Sequence, residues 1–135
     1  MKIVFADTFY WIALINVNDE SHAQAIRIGQ MYSDRRVVVT DAVVDEVLNY
    51  FASKGDFLRM RAFDLSRRID IDPDVLLIKH REDLRRSGLR LYYERPDKGY
   101  SLTDCISMVV MKQMGISEVL TQDKHFAQEG FTILF

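Results

Sequence analysis

A chain of 135 residues with 48% apolar content has the material for one packed core and little room for a second. Its net charge of -2 argues against a general polyanion binder, and its single cysteine, Cys105, excludes an internal disulfide and any cysteine-based zinc cluster. No apolar stretch is long enough to span a bilayer and no secretory leader is visible, so residues 1–135 are read as one cytoplasmic domain with no membrane association.

Lys2 to Ala6 is a short apolar run, expected as a buried strand. A helix is expected from Thr8 to about Ile15, a polar break over Asn16 to Asp19, and a second helix from Glu20 to about Tyr32. Val37, Val38, Val39 and Thr40 are four β-branched residues in a row, which predicts a second buried strand. Asp41 then opens a helix to about Ser53, with Val43, Val44, Val47, Leu48 and Phe51 at helical spacing. Gly55 and Asp56 break it, and Phe57 to Arg68 reads as another amphipathic helix. Ile69 to Asp72 reads as a short strand, and Pro73 fits the first position of a charged helix running to about Glu94, with Gly88 as an interior weak point. Arg95 to Gly99 is a loop; Ser101 to Met114 is helical and stopped by Gly115. Glu118 to Thr121 is a strand, Lys124 to Gln128 a short helix, and Phe131 to Leu134 the last strand.

Strands alternating with helices imply an α/β fold, a parallel sheet with helices on both faces. Ligands bind such sheets in the crevice beyond the carboxyl ends of the strands. The first strand ends at Asp7, the second at Thr40 and Asp41 with Asp45 and Glu46 close behind, and the strand ending at Thr121 is followed by Asp123. A parallel sheet brings these distant acids to one edge.

Each acid also has a plainer reading. Asp7, Asp41 and Asp123 precede helices, where an Asp commonly caps the N-terminus. Asp104 stands in the first turn of a helix that is apolar on nearly every side, so it needs a cap, a partner or a cation; Ser101 as N-cap with Asp104 three residues on would form a capping box. Asp45 and Glu46 flank the apolar face of their helix about equally, and periodicity does not choose between them. Two carboxylates 4 Å apart repel by about 4 kcal/mol at an effective dielectric near 20. Several at one edge must therefore be protonated or share a cation, and an all-oxygen donor set selects hard ions such as Mg2+ or Mn2+.

Four stretches together resemble the PIN-domain family, in particular its toxin-type (VapC-like) and stand-alone ribonucleases. They are Val4-Phe5-Ala6-Asp7-Thr8 with Trp11-Ile12-Ala13-Leu14, then Glu46-Val47-Leu48-Asn49, Ser101-Leu102-Thr103-Asp104-Cys105-Ile106-Ser107, and Leu120-Thr121-Gln122-Asp123-Lys124-His125-Phe126. The resemblance covers nearly the whole chain in order. It implies an α/β/α sandwich with strand order 3-2-1-4-5. It makes Asp7, Glu46, Asp104 and Asp123 the metal-binding and catalytic acids, choosing Glu46 over Asp45, with Thr8, Ser101 and Thr121 as supporting hydroxyls. The activity implied is Mg2+- or Mn2+-dependent endonucleolytic hydrolysis of RNA phosphodiesters. Family habit adds a homodimer and a small antitoxin partner. Phe9 departs from the pattern, standing where many members carry a small or polar residue.

Two alternatives come from other classes. One is a PIN-like module that binds RNA or protein and cleaves weakly or not at all. The other is a phosphotransfer α/β protein, disfavoured because Asp7-Thr8-Phe9 lacks a second acid. Between Lys54 and Lys98 there are 12 Lys and Arg against 9 Asp and Glu, a local basic excess that reads first as solvated helix faces, with steering of a nucleic-acid backbone as the alternative. Phe9, Tyr10 and Trp11 are expected mostly in the core, with base stacking as the alternative. Cys105 is expected to be a small buried residue, and His22, His80 and His125, lacking metal-ligand spacing, to be surface or structural residues.

Overall fold

The computed structural model describes residues 2–135. Five parallel strands form one sheet: β1 (Ile3–Ala6), β2 (Arg36–Thr40), β3 (Val75–Ile78), β4 (Glu118–Leu120) and β5 (Thr132–Ile133), in the order β3-β2-β1-β4-β5. The connecting helices are α1 (Thr8–Ile15), α2 (His22–Met31), α3 (Asp41–Phe51), α4 (Asp56–Ile71), α5 (Glu82–Glu94), α6 (Leu102–Met114) and α7 (Lys124–Gln128). β2, β1 and β4 are the interior strands of the sheet: Val4, Phe5, Ala6, Val38, Val39 and Val119 are completely buried, as apolar runs require when both faces are covered. Phe5 pairs with Val38 on one side and Val119 on the other.

From β1 the chain steps outward through β2 to β3, then returns past both to β4 and continues to β5. Right-handed crossovers in these two directions put the two sets of connecting helices on opposite faces. The direction reverses between β1 and β4, which makes the space beyond their carboxyl ends the natural ligand crevice. The amide of Asp7 donates to the Leu120 carbonyl at 3.1 Å, so β1 and β4 stay paired up to that edge.

One expected strand is misplaced. Ile69 to Asp72 does not form a strand; α4 continues to Ile71. The alternation Ile-Asp-Ile-Asp imitates a strand, but Ile69 extends the helical spacing of Ala62 and Leu65 and is buried with Ala62. Nor does Pro73 start a helix. It is the second residue of a turn closed by the Val75 amide on the Asp72 carbonyl at 3.2 Å, with the Asp72 side chain accepting from Asp74. The third strand follows at Val75–Ile78, and α5 begins only at Glu82, with Glu82 and Asp83 in its first turn where the helix dipole favours acids.

Gly88 is a contact point, where the sequence suggested only a weak one. It is buried in α5, and a β-carbon there would lie 2.7 Å from the Ile106 side chain and 3.4 Å from the α6 backbone. Hydrogen replaces a side chain so that α5 and α6 pack closely. Gly88→Val is expected to lower the stability of the fold by about 1–3 kcal/mol through overpacking, read as a shifted urea midpoint with unchanged slope.

Candidate active site

Asp7 sits just past β1 at the N-cap position of α1, yet its side chain makes no cap hydrogen bond. Its Oδ2 accepts from the Thr121 hydroxyl at 2.9 Å, while its Oδ1 is buried without a partner. The residue is 2% exposed. Burial pushes its carboxyl from 3.8 up to about 7; the Thr8 amide and Thr121 hydroxyl offset part of this, and the charges of Asp104 and Glu46 add to it. The plain capping reading therefore fails for Asp7.

The other acids arrive from three helices. Glu46 lies one turn into α3, half-buried, and its Oε1 accepts the Thr8 hydroxyl. Asp45 is exposed, so the two flanks that periodicity left equivalent are distinguished by the fold. Asp41 turns away from this group, accepting the His80 amide at 2.7 Å, and the cap of α3 is the Thr40 hydroxyl instead.

Asp104 does form the capping box. Its Oδ2 accepts the Ser101 amide at 3.0 Å, and the Ser101 hydroxyl accepts the Asp104 amide at 3.0 Å. Burial raises its carboxyl above the usual range; the Ser101 amide pulls it down and the nearby charge of Asp123 pushes it up. Asp123 caps α7 through Oδ1, which accepts the His125 amide at 2.9 Å. Thr121 joins the arrangement: it is fully buried, donates to Asp7 and accepts from the Asp123 amide at 3.0 Å. For Asp104 and Asp123, capping and membership of the cluster coexist, since each uses one oxygen as a cap.

All four acids line one cavity of about 300 Å3, together with Thr8, Phe9, Ile12 and Tyr50. A cleft of about 320 Å3 lies between α1, α2 and α4 and a larger one of about 520 Å3 at the opposite sheet edge around Lys2 and Met114, but each has one acid in its wall. Phe9 is 46% and Tyr50 45% exposed, while Tyr10 and Trp11 are buried. Of the three consecutive aromatics, only Phe9 is at the site. The donor set fits a hard divalent cation: carboxylate side chains line one crevice, and a buried acceptor of Asp7 has no donor among the described residues.

His125 was not anticipated at this place. It is the second residue of α7, and its Nδ1 lies 3.5 Å from Asp104 Oδ2 and 3.3 Å from Asp123 Oδ1. Ligand atoms of these three residues lie within 4.8 Å of one another, a tight group that does not include Asp7 and Glu46, which face the same cavity. The sequence signal was its position two residues after a strand-end acid that caps a helix, which folds the side chain back toward that acid. Cys105, by contrast, is buried as expected, and burial pushes its thiol up to about 11.

A sequence model of the PIN domain matches residues 4–131. The chain belongs to the PIN-domain family. A curated relative, the 23S rRNA-specific endonuclease VapC20 of Mycobacterium tuberculosis (strain ATCC 25618 / H37Rv), is 28% identical over 134 residues, spanning 96% of this chain and 95% of the relative. The same protein from strain CDC 1551 / Oshkosh matches to the same extent. The crystal structure of VapC20, described as a sarcin-ricin loop cleaving toxin, superposes with a TM-score of 0.84 over 96% of both chains at 23% identity, a likeness of fold. The sheet order of this PIN domain is the 3-2-1-4-5 that its motifs implied. That order also separates it from phosphoreceiver domains, whose doubly wound sheet runs 2-1-3-4-5. Among the described residues, no helix is long and apolar enough to cross a membrane.

Proposed function

We propose that this PIN domain is an endoribonuclease that uses Mg2+ or Mn2+ and serves as the toxin of a toxin-antitoxin pair. The convergence of Asp7, Glu46, Asp104 and Asp123 on one cavity carries the reading, and the similarity to VapC20 supports RNA as substrate. The same reading takes residues 1–135 as a single domain that works in the cytoplasm as a homodimer and is inhibited by a small antitoxin protein.

In this mechanism Asp7, Glu46, Asp104 and Asp123 would hold the cation. Once bound, the ion supplies Lewis acidity that activates water and offsets charge on the phosphate in the transition state. The chain's own residues do the rest. Thr121 fixes the rotamer of Asp7, Thr8 that of Glu46, and the Ser101 capping box that of Asp104, so the donors are aligned before substrate arrives. Phe9 and Tyr50 present exposed rings at the cavity, suited to stacking on unpaired bases. The basic residues between Lys54 and Lys98 steer the RNA backbone toward a site whose own acids would repel it.

The test is cleavage of a 23S rRNA stem-loop by the purified protein with Mn2+, with EDTA, and with paired variants at neighbouring positions. Glu46→Gln is expected to lower the cleavage rate by about 100-fold or more, in the range of losing one preorganised charged group. Asp45→Asn is expected to leave it within about twofold. Equal rates for both variants would remove Glu46 from the site; cleavage undiminished by EDTA would remove the metal.

A further inference from the structure

We infer that His125 is a positioning residue, whose Nδ1–H clamps the Asp104 and Asp123 carboxylates from behind so that their free oxygens face the cation. The inference rests on the metal-site reading above and adds a residue to it.

Which oxygens His125 approaches decides its role. Nδ1 faces Asp104 Oδ2 and Asp123 Oδ1. These are the two oxygens already committed as helix caps, Oδ2 accepting the Ser101 amide and Oδ1 accepting the His125 amide. The remaining oxygens, Asp104 Oδ1 and Asp123 Oδ2, accept no hydrogen bond among the described residues, and both side chains line the cavity. A donor that approaches the occupied oxygens leaves the other oxygen of each carboxylate available to the ion.

Nδ1 itself is buried and has no well-aligned partner, despite separations of 3.3 and 3.5 Å. A buried ring nitrogen left as an acceptor between two carboxylates would be repelled by both, so the N–H tautomer is the one that fits. Contacts of this kind are often loose in unliganded sites and tighten on loading.

The ring is held from outside the site. Tyr100 packs edge-on against it with centroids 5.4 Å apart, and its hydroxyl donates to Glu129 at 3.0 Å. Glu129 is pinned in turn by the Arg95 guanidinium through both oxygens and by Lys112 at 2.8 Å. Gly99, in the left-handed region at φ 77°, passes close to Nε2 of the ring. The loop before α6, α6 itself and α7 thus converge on one imidazole, which fixes the angle between two acids on separate helices. Outer partners of this type typically contribute 10–100-fold in metal affinity.

The test is calorimetric titration of the full chain with Mn2+ and with Mg2+, for wild type, His125→Leu and His125→Asn. The Asn amide nitrogen occupies nearly the place of Nδ1 and restores the donor; Leu keeps bulk and removes it. Expected are a 10–100-fold weaker Kd for His125→Leu with both ions, recovery to within about threefold for His125→Asn, and unchanged metal-free Tm for both. Wild-type affinity in His125→Leu would overturn the clamp and leave the metal site standing. A loss confined to Mn2+, or not recovered by Asn, would overturn it in favour of a nitrogen ligand. A wild-type chain that binds neither ion would overturn the clamp and the metal reading together.

Discussion

Asp104→Asn is expected to reduce RNA cleavage by on the order of 1000-fold, because a divalent ion's electrostatic contribution of several kcal/mol is lost at about tenfold per 1.4 kcal/mol. The substitution is chosen to separate chemistry from folding. The Asp104 side chain serves the fold as an acceptor for the Ser101 amide, and an Asn carbonyl oxygen accepts equally well. Circular dichroism and Tm are therefore expected to stay near wild type while cleavage falls. Asp104→Ala removes acceptor and charge together, so it should lose the same activity and a further ~1 kcal/mol of stability. If Asp104→Asn cleaved RNA at the wild-type rate in a preparation free of contaminating nuclease, the residue would be a cap and nothing more.

That contrast shows how sequence and site relate in this chain. The strands were legible because Val37 to Thr40 and Ile3 to Ala6 are unbroken apolar or β-branched runs, and these became the buried centre of the sheet. The carboxyl-edge rule then pointed to Asp7, Asp41 and Asp123, and the apolar surroundings of its helix singled out Asp104, all without reference to any relative; of these Asp41 lies outside the cavity. What stayed illegible was angular. Asp45 and Glu46 are one residue apart, about 100° on a helix, and their fate depends on how α3 is rotated against Thr8 and β1. Rotation is set by tertiary packing, and only the resemblance to the family selected Glu46. The misplaced strand at Ile69 to Asp72 has a similar origin. Four residues do not contain enough period to tell alternation from the last turn of a helix. His125 was missed for a third reason, since metal spacing was sought among histidines, whereas this one earns its place through the cap of its own helix.

Removing the negative charge from Asp7 should make the metal-free protein more stable, and by an amount that grows with pH. The carboxyl titrates near 3.8 when unfolded and at about 7 when folded, because burial disfavours its charged form. Between those values the native state holds more protons than the unfolded state, so stability falls as pH rises. The penalty is absent below about pH 4, accumulates up to the folded pKa, and is complete above it. Three pH units correspond to on the order of 4 kcal/mol at about 1.4 kcal/mol per unit. Asn in this place is the neutral analogue of the protonated acid and can keep the acceptor role toward the Thr121 hydroxyl. Asp7→Asn is therefore expected to be about 2–4 kcal/mol more stable than wild type at pH 8, roughly 10 °C in Tm, and indistinguishable near pH 4. Saturating Mn2+ should act oppositely, raising wild-type stability by about 2.7 kcal/mol at a hundred times its Kd while leaving the variant nearly unmoved. Thermal melts in EDTA and in Mn2+ from pH 4 to 8 measure both effects. Wild-type stability in EDTA that keeps pace with Asp7→Asn across this range would mean that the native carboxylate carries no burial penalty. Relief of a buried charge at Asp7 by the cation would then have to be abandoned as the source of any stabilisation by Mn2+.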